Sequence, residues 1–347
     1  MRKSFATAGA AVLAIFAATS AQSQKLTAVN PYPGSTQTVV FGINDDGVIV
    51  GSYIDGNDVE HGFFGPLNGA YTSFDFGQTS TGTEPRGMDG DGNIVGFATD
   101  SEFTVGEQFF RSIDGKISQI KRKRAPLDGV AQGMTTKVRS IGDYVVPGAG
   151  GRVGYLAKNG KYKSDLLVDV EATSISPRAV GNSGATVGFF LDNVGGEHGY
   201  LQEKGGTVVI DAGDGMTVLE GVGGGKDGLS TGPFSCAAGQ FTGSDGLTHA
   251  FVFSPDTGRF TAIDIPGSTS YQQAWGMNKS NQIAVSSDVG SFIWQPSKTP
   301  DGHRCPTGGI DARFQHAKVR TLLQFQAEER RGSRVPALAH PRAGAVQ

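Results

Sequence analysis

One short pattern recurs along the chain, and it constrains the fold more than any other feature. GINDDGVIVGSYI begins at Gly42, GMDGDGNIVGFAT at Gly87, AVGNSGATVGFFL at Ala179 and GMNKSNQIAVSSD at Gly276. Weaker copies begin at Gly133 (GMTTKVRSIGDYVV) and near Gly221. Starts near 42, 87, 133, 179, 221 and 276 give steps of 45, 46, 46, 42 and 55 residues. The long last step holds the glycine-rich GVGGGKDGLSTG. A fixed period of this length marks units that bury their faces only by stacking on one another.

Each copy has a second half. EHGFF at Glu60 recurs as EHGYL at Glu197 and THAFVF at Thr248, and a run such as AYTSFDF or RFTAIDI follows. One copy therefore reads as four short strands. The DDG, DGDG and NSG segments serve as hairpin turns, where glycine and Asp/Asn tolerate positive φ. Four strands in about 45 residues is the size of one propeller blade. The expected fold is all-β, a six-bladed β-propeller of four-stranded blades over residues 25–296. LTAVN at Leu26 matches the fourth-strand sequence FTAID at Phe260, yet precedes the first copy. The last copy runs out after Phe292-Ile293-Trp294. Leu26 to Asn30 is thus expected to pair with the last blade and close the ring, which removes exposed edges. Gly309-Ile310-Asp311 is the rival for that place.

The ends of the chain differ from the repeats. Residues 1–23 carry Arg2 and Lys3, then an apolar stretch to about Ala18, then small residues, which is the pattern of a secretory signal peptide. The apolar part is too short to span a bilayer, and no later segment does so as a helix. The expected location is periplasmic or extracellular. From Lys298 onward, nine Lys/Arg face four acids, so residues 297–347 form a basic tail, expected to be flexible or loosely docked. With the formal net charge at −3, and the tail and the start both positive, residues 25–297 carry −10. Two cysteines, Cys236 and Cys305, permit one disulfide in an oxidising compartment.

The candidate chemistry is sparse. His61, His198 and His249 occupy one slot in three copies. A catalytic or metal residue is needed once, so recurrence points to a hydrogen bond that fixes blade geometry. Asp89, Asp91 and Asn93 have the spacing of a calcium loop, with Asp100 at position twelve. Ile94 stands where that loop needs glycine and no bidentate Glu follows, so a hairpin turn explains them better. No nucleophile elbow surrounds Ser235-Cys236 and no phosphate loop or dinucleotide fingerprint is present. The basic run Lys121 to Arg124 reads as a solvated loop, and an acidic, exported ring disfavours nucleic acid.

Variation between copies is more informative. The small residues Gly42, Gly87, Gly133, Ala179, Gly221 and Gly276 suit strands crowded around an axis. The residues just before them are Phe41, Arg86, Gln132, Arg178, Glu220 and Trp275, all large and chemically varied. Facing the channel mouth, they would bind an anionic or sugar-like ligand by charged hydrogen bonds and stacking. Wedged between blades, they would be packing, with the arginine stems snorkelling.

The pattern Gly-Ile/Met-Asn/Asp, then Ile-Val-Gly, then His-Gly/Ala-Phe, then FTAIDIPG from Phe260 to Gly267, resembles the extracellular HAF repeat family. His249-Ala250-Phe251 carries the tripeptide that names it. The resemblance covers Lys25 to about Gln295. It is strong in the first, second, fourth and sixth copies and departs in the third and fifth, the third having no His. It implies a secreted, propeller-like protein and supplies no catalytic residues. The expected function is a non-enzymatic binding or interaction module of the cell envelope or extracellular space. Its candidate partners are a carbohydrate, an anionic small molecule or an envelope protein. No cofactor is expected beyond the calcium candidate. Two alternatives stay open: a hydrolase or lyase acting on a carbohydrate or lactone in the channel, and a purely structural repeat.

Overall fold

The computed structural model describes residues 25–77, 82–99, 105–135, 139–146, 151–166, 168, 172–181, 183–204, 206–223, 236–296, 305, 312–321, 324–326 and 328. The signal-like start, Asp100, Ser235 and Gly309-Ile310-Asp311 lie outside them.

Antiparallel strands make up the body. After β1 (Lys25–Ala28), the first copy folds as β2 (Gln37–Ile43), β3 (Val48–Ile54), β4 (Glu60–Pro66) and β5 (Thr72–Phe74). The second gives β6 (Gly82–Met88), β7 (Ile94–Thr99), β8 (Glu107–Arg111) and β9 (Ile117–Gln119). A hairpin of β10 (Lys121–Arg122) and β11 (Ala125–Pro126) follows. The third copy gives β12 (Gly129–Met134), β13 (Arg139–Val145), β14 (Arg152–Lys158) and β15 (Lys161–Asp165). The fourth gives β16 (Ser174–Val180), β17 (Thr186–Leu191), β18 (Glu197–Glu203) and β19 (Gly206–Asp211). The fifth gives β20 (Thr217–Val222), β21 (Ala237–Thr242), β22 (Thr248–Ser254) and β23 (Arg259–Ile263). The sixth supplies β24 (Gln272–Met277), β25 (Ile283–Ser287) and β26 (Gly290–Gln295), and β27 (Lys318–Thr321) ends the order.

These strands form an all-β, propeller-like arrangement. Four sheets are separate: β12 to β15, β16 to β19 with β27, β20 to β23, and β24 to β26 with β1. The first two copies merge into an eight-stranded sheet through one parallel residue pair, Glu60 with Gly82. The strands β2, β6, β12, β16, β20 and β24 follow one another around a central channel, and β24 in turn touches β2. At that seam, Leu26 pairs with Trp294 and Ala28 with Phe292, so the chain's beginning completes the last sheet.

Burial follows the alternation of the strands. Apolar clusters lie between successive sheets: Val50, Ile94 and Phe109 in one gap, Ala131, Tyr144 and Tyr155 in the next. Leu219, Phe241 and Phe251 fill another, and Ile283 and Trp294 another. Val40, Phe63 and Ile293 fill the gap at the seam. Phe190, Tyr200 and Val209, with Leu166 and Ile175, fill the gap between the third and fourth copies, which also holds a buried polar group. There the fully buried Asp143 accepts from Arg152 Nη1 at 2.9 Å and Ser176 Oγ at 2.5 Å. An unpaired carboxylate at that depth would be costly, and these two donors satisfy it.

Inner-strand turns are built as expected and add links between sheets. The Asn44 side-chain oxygen accepts from Asp46 N and Val48 N, and Asn278 does the same for Ser280 N and Gln282 N. Gly47, Gly92 and Gly184 sit at positive φ, and Asn281 takes that conformation at φ 57 in the sixth copy. Asn44 Nδ2 also donates to the Asp89 carbonyl at 3.1 Å, and Asn278 Nδ2 to the Asn44 carbonyl at 3.0 Å. The second bond crosses the seam.

Two expected loops differ. The basic run 121–124 is not a plain solvated loop: Lys121 and Arg122 enter the small hairpin. Arg122 pairs with Asp165 at 3.3 Å and lies over Tyr144 and Tyr162. The described part of the basic tail is seated on the body. Cys305 is disulfide-bonded to Cys236, and β27 adds a fifth strand at the edge of β19. Arg313 pairs with Asp264, and Arg320 with Asp211. Opposite charge on the ring draws the tail in, and the open edge of β19 gives its backbone partners.

Candidate functional site

A bulge in every inner strand builds the site. Pairing skips Phe41 between Val40 and Gly42, Arg86 between Pro85 and Gly87, Arg178 between Pro177 and Ala179, and Glu220 between Leu219 and Gly221. Wider skips pass over Gln132 with Gly133, and Trp275 with Gly276. A bulge leaves one residue unpaired and re-aims its side chain. The six residues singled out in the sequence are these bulge residues, and all six line one central cavity of ≈ 60 Å³.

Close approach of the inner strands fixes the next position. A Cβ on Gly87 would lie 2.4 Å from the Gln132 carbonyl oxygen, and one on Gly221 2.6 Å from that of Trp275. Glycine there lets each bulge meet its neighbour's backbone.

The ring is charged and aromatic. The Arg86 guanidinium lies 4.1 Å from the Phe41 ring centre and 5.0 Å from that of Trp275, while its Nη2 pairs with Glu84 at 2.5 Å. Phe41 and Trp275 meet edge to face at 5.1 Å, and Trp275 Nε1 donates to Ser286 Oγ at 2.8 Å. Arg178 Nε stands 3.8 Å from Glu220 Oε1, a charge contact too long for a hydrogen bond. Burial raises the pKa of Glu60, and the nearby Glu84 pushes the same way. Burial raises Glu197 too, against the opposing pull of Arg178.

Several donors in this ring are unspent. Arg86 Nε and Nη1, Gln132 Nε2 and Arg178 Nε are buried with no hydrogen-bond partner among the described residues. Gln132 is only 4% exposed, so water supplies little. Such groups cost free energy unless something satisfies them. Below the ring, Ile43, Met88, Met134, Val180, Val222 and Met277 form an apolar waist, and a second recess of ≈ 70 Å³ opens beyond it near Asn44 and Asn278.

A larger groove of ≈ 400 Å³ lies at the seam between β1 and β2. Some of its polar groups are engaged: Thr38 Oγ1 accepts from Tyr32 N, and Asp288 accepts from Ser268 and Thr269. Those bonds hold the Asp288 carboxyl down at about 2.

The recurring histidines are fixed in place. His61 Nδ1 contacts Asp75 at 2.9 Å, and His198 contacts Asp211 at 2.8 Å and Asp192 at 3.3 Å. His249 contacts Asp245 at 3.0 Å, while Asp264, the counterpart of Asp75 and Asp211, pairs with Arg313. Each His lies beside an aromatic ring of the neighbouring strand: Tyr53, Phe190 and Phe241. A ring from outside the repeats then covers each pair. Tyr32 stacks on Tyr53 at 3.7 Å, Phe325 meets His198 at 4.8 Å, and Phe314 meets Phe241 at 5.3 Å. The sequence signal was available only in part. The Asp slots recur, but the covering rings have no repeat to mark them.

His198 titrates usefully. Burial pushes its pKa down, yet Asp211 and Asp192 outweigh this and raise it. A raised folded-state value adds stability that is complete below the free imidazole value of about 6.5 and is lost as pH rises through the folded value. The melting temperature should therefore decline as pH rises above about 6.5, and this part of the decline should vanish in His198→Gln. Thermal melts of both chains from acid to mildly alkaline pH check it.

The calcium-like residues are held by their own turn. Asp89 Oδ1 accepts from Asp91 N at 3.1 Å and Asn93 N at 2.8 Å, and Oδ2 accepts from Asn93 Nδ2 at 2.9 Å. No group of three His, Cys, Asp or Glu side chains among the described residues is placed to hold a metal ion. No helix among them is long and apolar enough to cross a membrane.

No known family profile matches the sequence. No curated protein matches it either. Solved structures do align. A streptogramin B lyase structure shares 12% identity over 79% of this chain and 98% of its own, with a TM-score of 0.42. The Aleuria aurantia lectin in complex with Fucalpha1-6GlcNAc shares 9% over 81% and 100%, at 0.46. AofleA from Arthrobotrys oligospora shares 10% over 86% and 89%, at 0.49.

Proposed function

We propose that this chain is an exported, six-bladed β-propeller of the HAF type. It serves as a non-enzymatic binding module of the envelope or extracellular space, with its ligand held in the mouth of the channel. Six blades are supported by the six inner strands around one axis, and by the single residue pair that joins the first two copies. Export is supported by the signal-like start and by a paired cysteine couple.

One observation carries the binding role. Arg86, Gln132 and Arg178 line the central cavity, and each holds a buried N–H that nothing among the described residues satisfies. Methionine keeps the stem volume of arginine and removes its head. Arg86→Met and Arg178→Met should each weaken binding by at least about tenfold, the loss of roughly one charge-assisted hydrogen bond. Melting should shift little in Arg178→Met and more in Arg86→Met, whose guanidinium also stacks on Phe41. The check is a titration of the mature chain with small anions and sugars, run beside thermal melts. Similar melting losses in both variants, with no probe bound by the parent chain, would return the ring to a packing role.

A further inference from the structure

We infer that the outer edge of β5 docks an extended, arginine-bearing segment of a partner protein, on a surface separate from the channel. The fourth copy shows how such a segment sits. There β27 pairs with β19, with Arg320 opposite Val209 and Lys318 opposite Asp211. Arg320 Nη2 closes on Asp211 Oδ2, while Asp211 Oδ1 contacts His198 Nδ1 at 2.8 Å. Strand addition of this kind takes its affinity from backbone bonds and its specificity from side chains.

The first copy repeats this edge residue for residue. Thr72, Ser73 and Phe74 pair with β4 at the positions where Val208, Val209 and Ile210 pair with β18. Asp75 therefore stands where Asp211 stands, and the same atoms meet. His61 Nδ1 lies 2.9 Å from Asp75 Oδ1, and its Nε2 3.6 Å from Asp55 Oδ2, the counterpart of Asp192 Oδ2 beside His198 Nε2. The difference is at the edge. Among the described strands β5 pairs only with β4, Thr72 is exposed, and no described residue pairs with Asp75 Oδ2. The Asp75 side chain is 50% exposed, against 10% for Asp211. In the fifth copy Asp264 also holds a tail arginine, Arg313. The aromatic place in the first copy is filled by Tyr32, stacked on Tyr53 at 3.7 Å. What remains there is a strand edge and a carboxylate oxygen, which suit an extended backbone and one guanidinium. The charge of −10 on residues 25–297 draws a basic segment towards it. The chain's own β27 already lies on β19, so a second copy could lend that strand only by baring its own edge.

The probe is a synthetic peptide of residues 316–323, HAKVRTLL, titrated calorimetrically into the chain. It should bind one to one. The Arg320→Ala peptide should bind at least about tenfold more weakly, the loss of roughly one charge-assisted hydrogen bond. A peptide N-methylated at both Val319 and Arg320 should lose binding, because adjacent amides face opposite sides of a strand and one of the two must meet β5. Both peptides leave the protein unchanged, so no folding defect can imitate their effect. Asp75→Asn should weaken the parent peptide by at least about tenfold, whereas Asp58→Asn, at an exposed acid of the turn before β4, should not. Equal binding by the parent chain and Asp75→Asn, or by the parent and N-methylated peptides, would overturn the assignment. Absence of binding at millimolar peptide would overturn it too. Dimers of the parent chain that Asp75→Asn abolishes would overturn the outside partner in favour of a second copy.

Discussion

Gly51→Ala should destabilise the chain by about 3 kcal/mol or more, an overpacking cost at the upper end of its class. The added methyl would lie 2.0 Å from the Val39 carbonyl oxygen and 3.0 Å from the Phe63 ring. Backbone cannot yield as a flexible side chain does, so β2 or β3 must shift. The cause is the bulge at Phe41, which twists β2 towards its partner. The same closeness recurs where the second strand faces a bulge: 2.1 Å at Gly96, 2.3 Å at Gly142, 2.2 Å at Gly188 and 2.1 Å at Gly239, each to a carbonyl oxygen. Gly56, in the next turn, is the control. Nothing lies within 4 Å of its added methyl, and its φ is not positive, so Gly56→Ala should stay within about 0.5 kcal/mol. Denaturant titrations of the two variants separate the cases. A Gly51→Ala midpoint equal to that of Gly56→Ala would mean that the bulges are not what the Ile-Val-Gly motif serves.

The bulge also explains which parts of the site were legible in the sequence. The period of Gly42, Gly87, Gly133, Ala179, Gly221 and Gly276 marked the crowded strand, and variation just before it marked the ring. Both are local, repeated signals. That the variable residue is a bulge, and so faces the channel, was not legible, because a bulge is a relation between two strands. The glycine of Ile-Val-Gly falls inside the second strand, and the need for glycine there was not legible for the same reason. In the structure it answers a carbonyl on the strand before it.

The tail was the least legible part. Arg313, Phe314, Arg320 and Phe325 have no copies to align with. Their places are made by the repeats: Asp264 and Asp211 hold the arginines, and Phe241 and His198 receive the rings. A basic composition gave the sign of that contact, but the partners lie 49 or more residues upstream. Tyr32 plays the matching part on Tyr53 from the other end of the chain.

Removing residues 25–30 should cost the chain about 5 kcal/mol, the sum of a few backbone hydrogen bonds, the buried Val29 and the half-buried Leu26. Lys25 to Ala28 pair in register with Gln295 to Phe292, and Val29 N donates to the Ser291 carbonyl at 2.9 Å. Leu26 packs on the cluster that holds Trp294, and Val29 on the one that holds Phe63. Without β1, the outer edge of β26 is bare, and a bare edge invites pairing between molecules. The truncated chain should therefore melt lower and also associate. A synthetic peptide spanning 24–31 should reverse both effects in proportion to its concentration, since a strand that binds only the folded state stabilises it by mass action. Sedimentation and thermal melts with and without the peptide read the two effects separately. The disulfide between Cys236 and Cys305 cannot replace this clasp, because it ties the tail to the fifth copy rather than the sixth copy to the first. Truncation without loss of stability would mean that the rest of the seam holds the ring closed: the Asn278 to Asn44 bond, the bonds of Ser291 with Val40 and Thr38, and the packing of Val40 against Ile293.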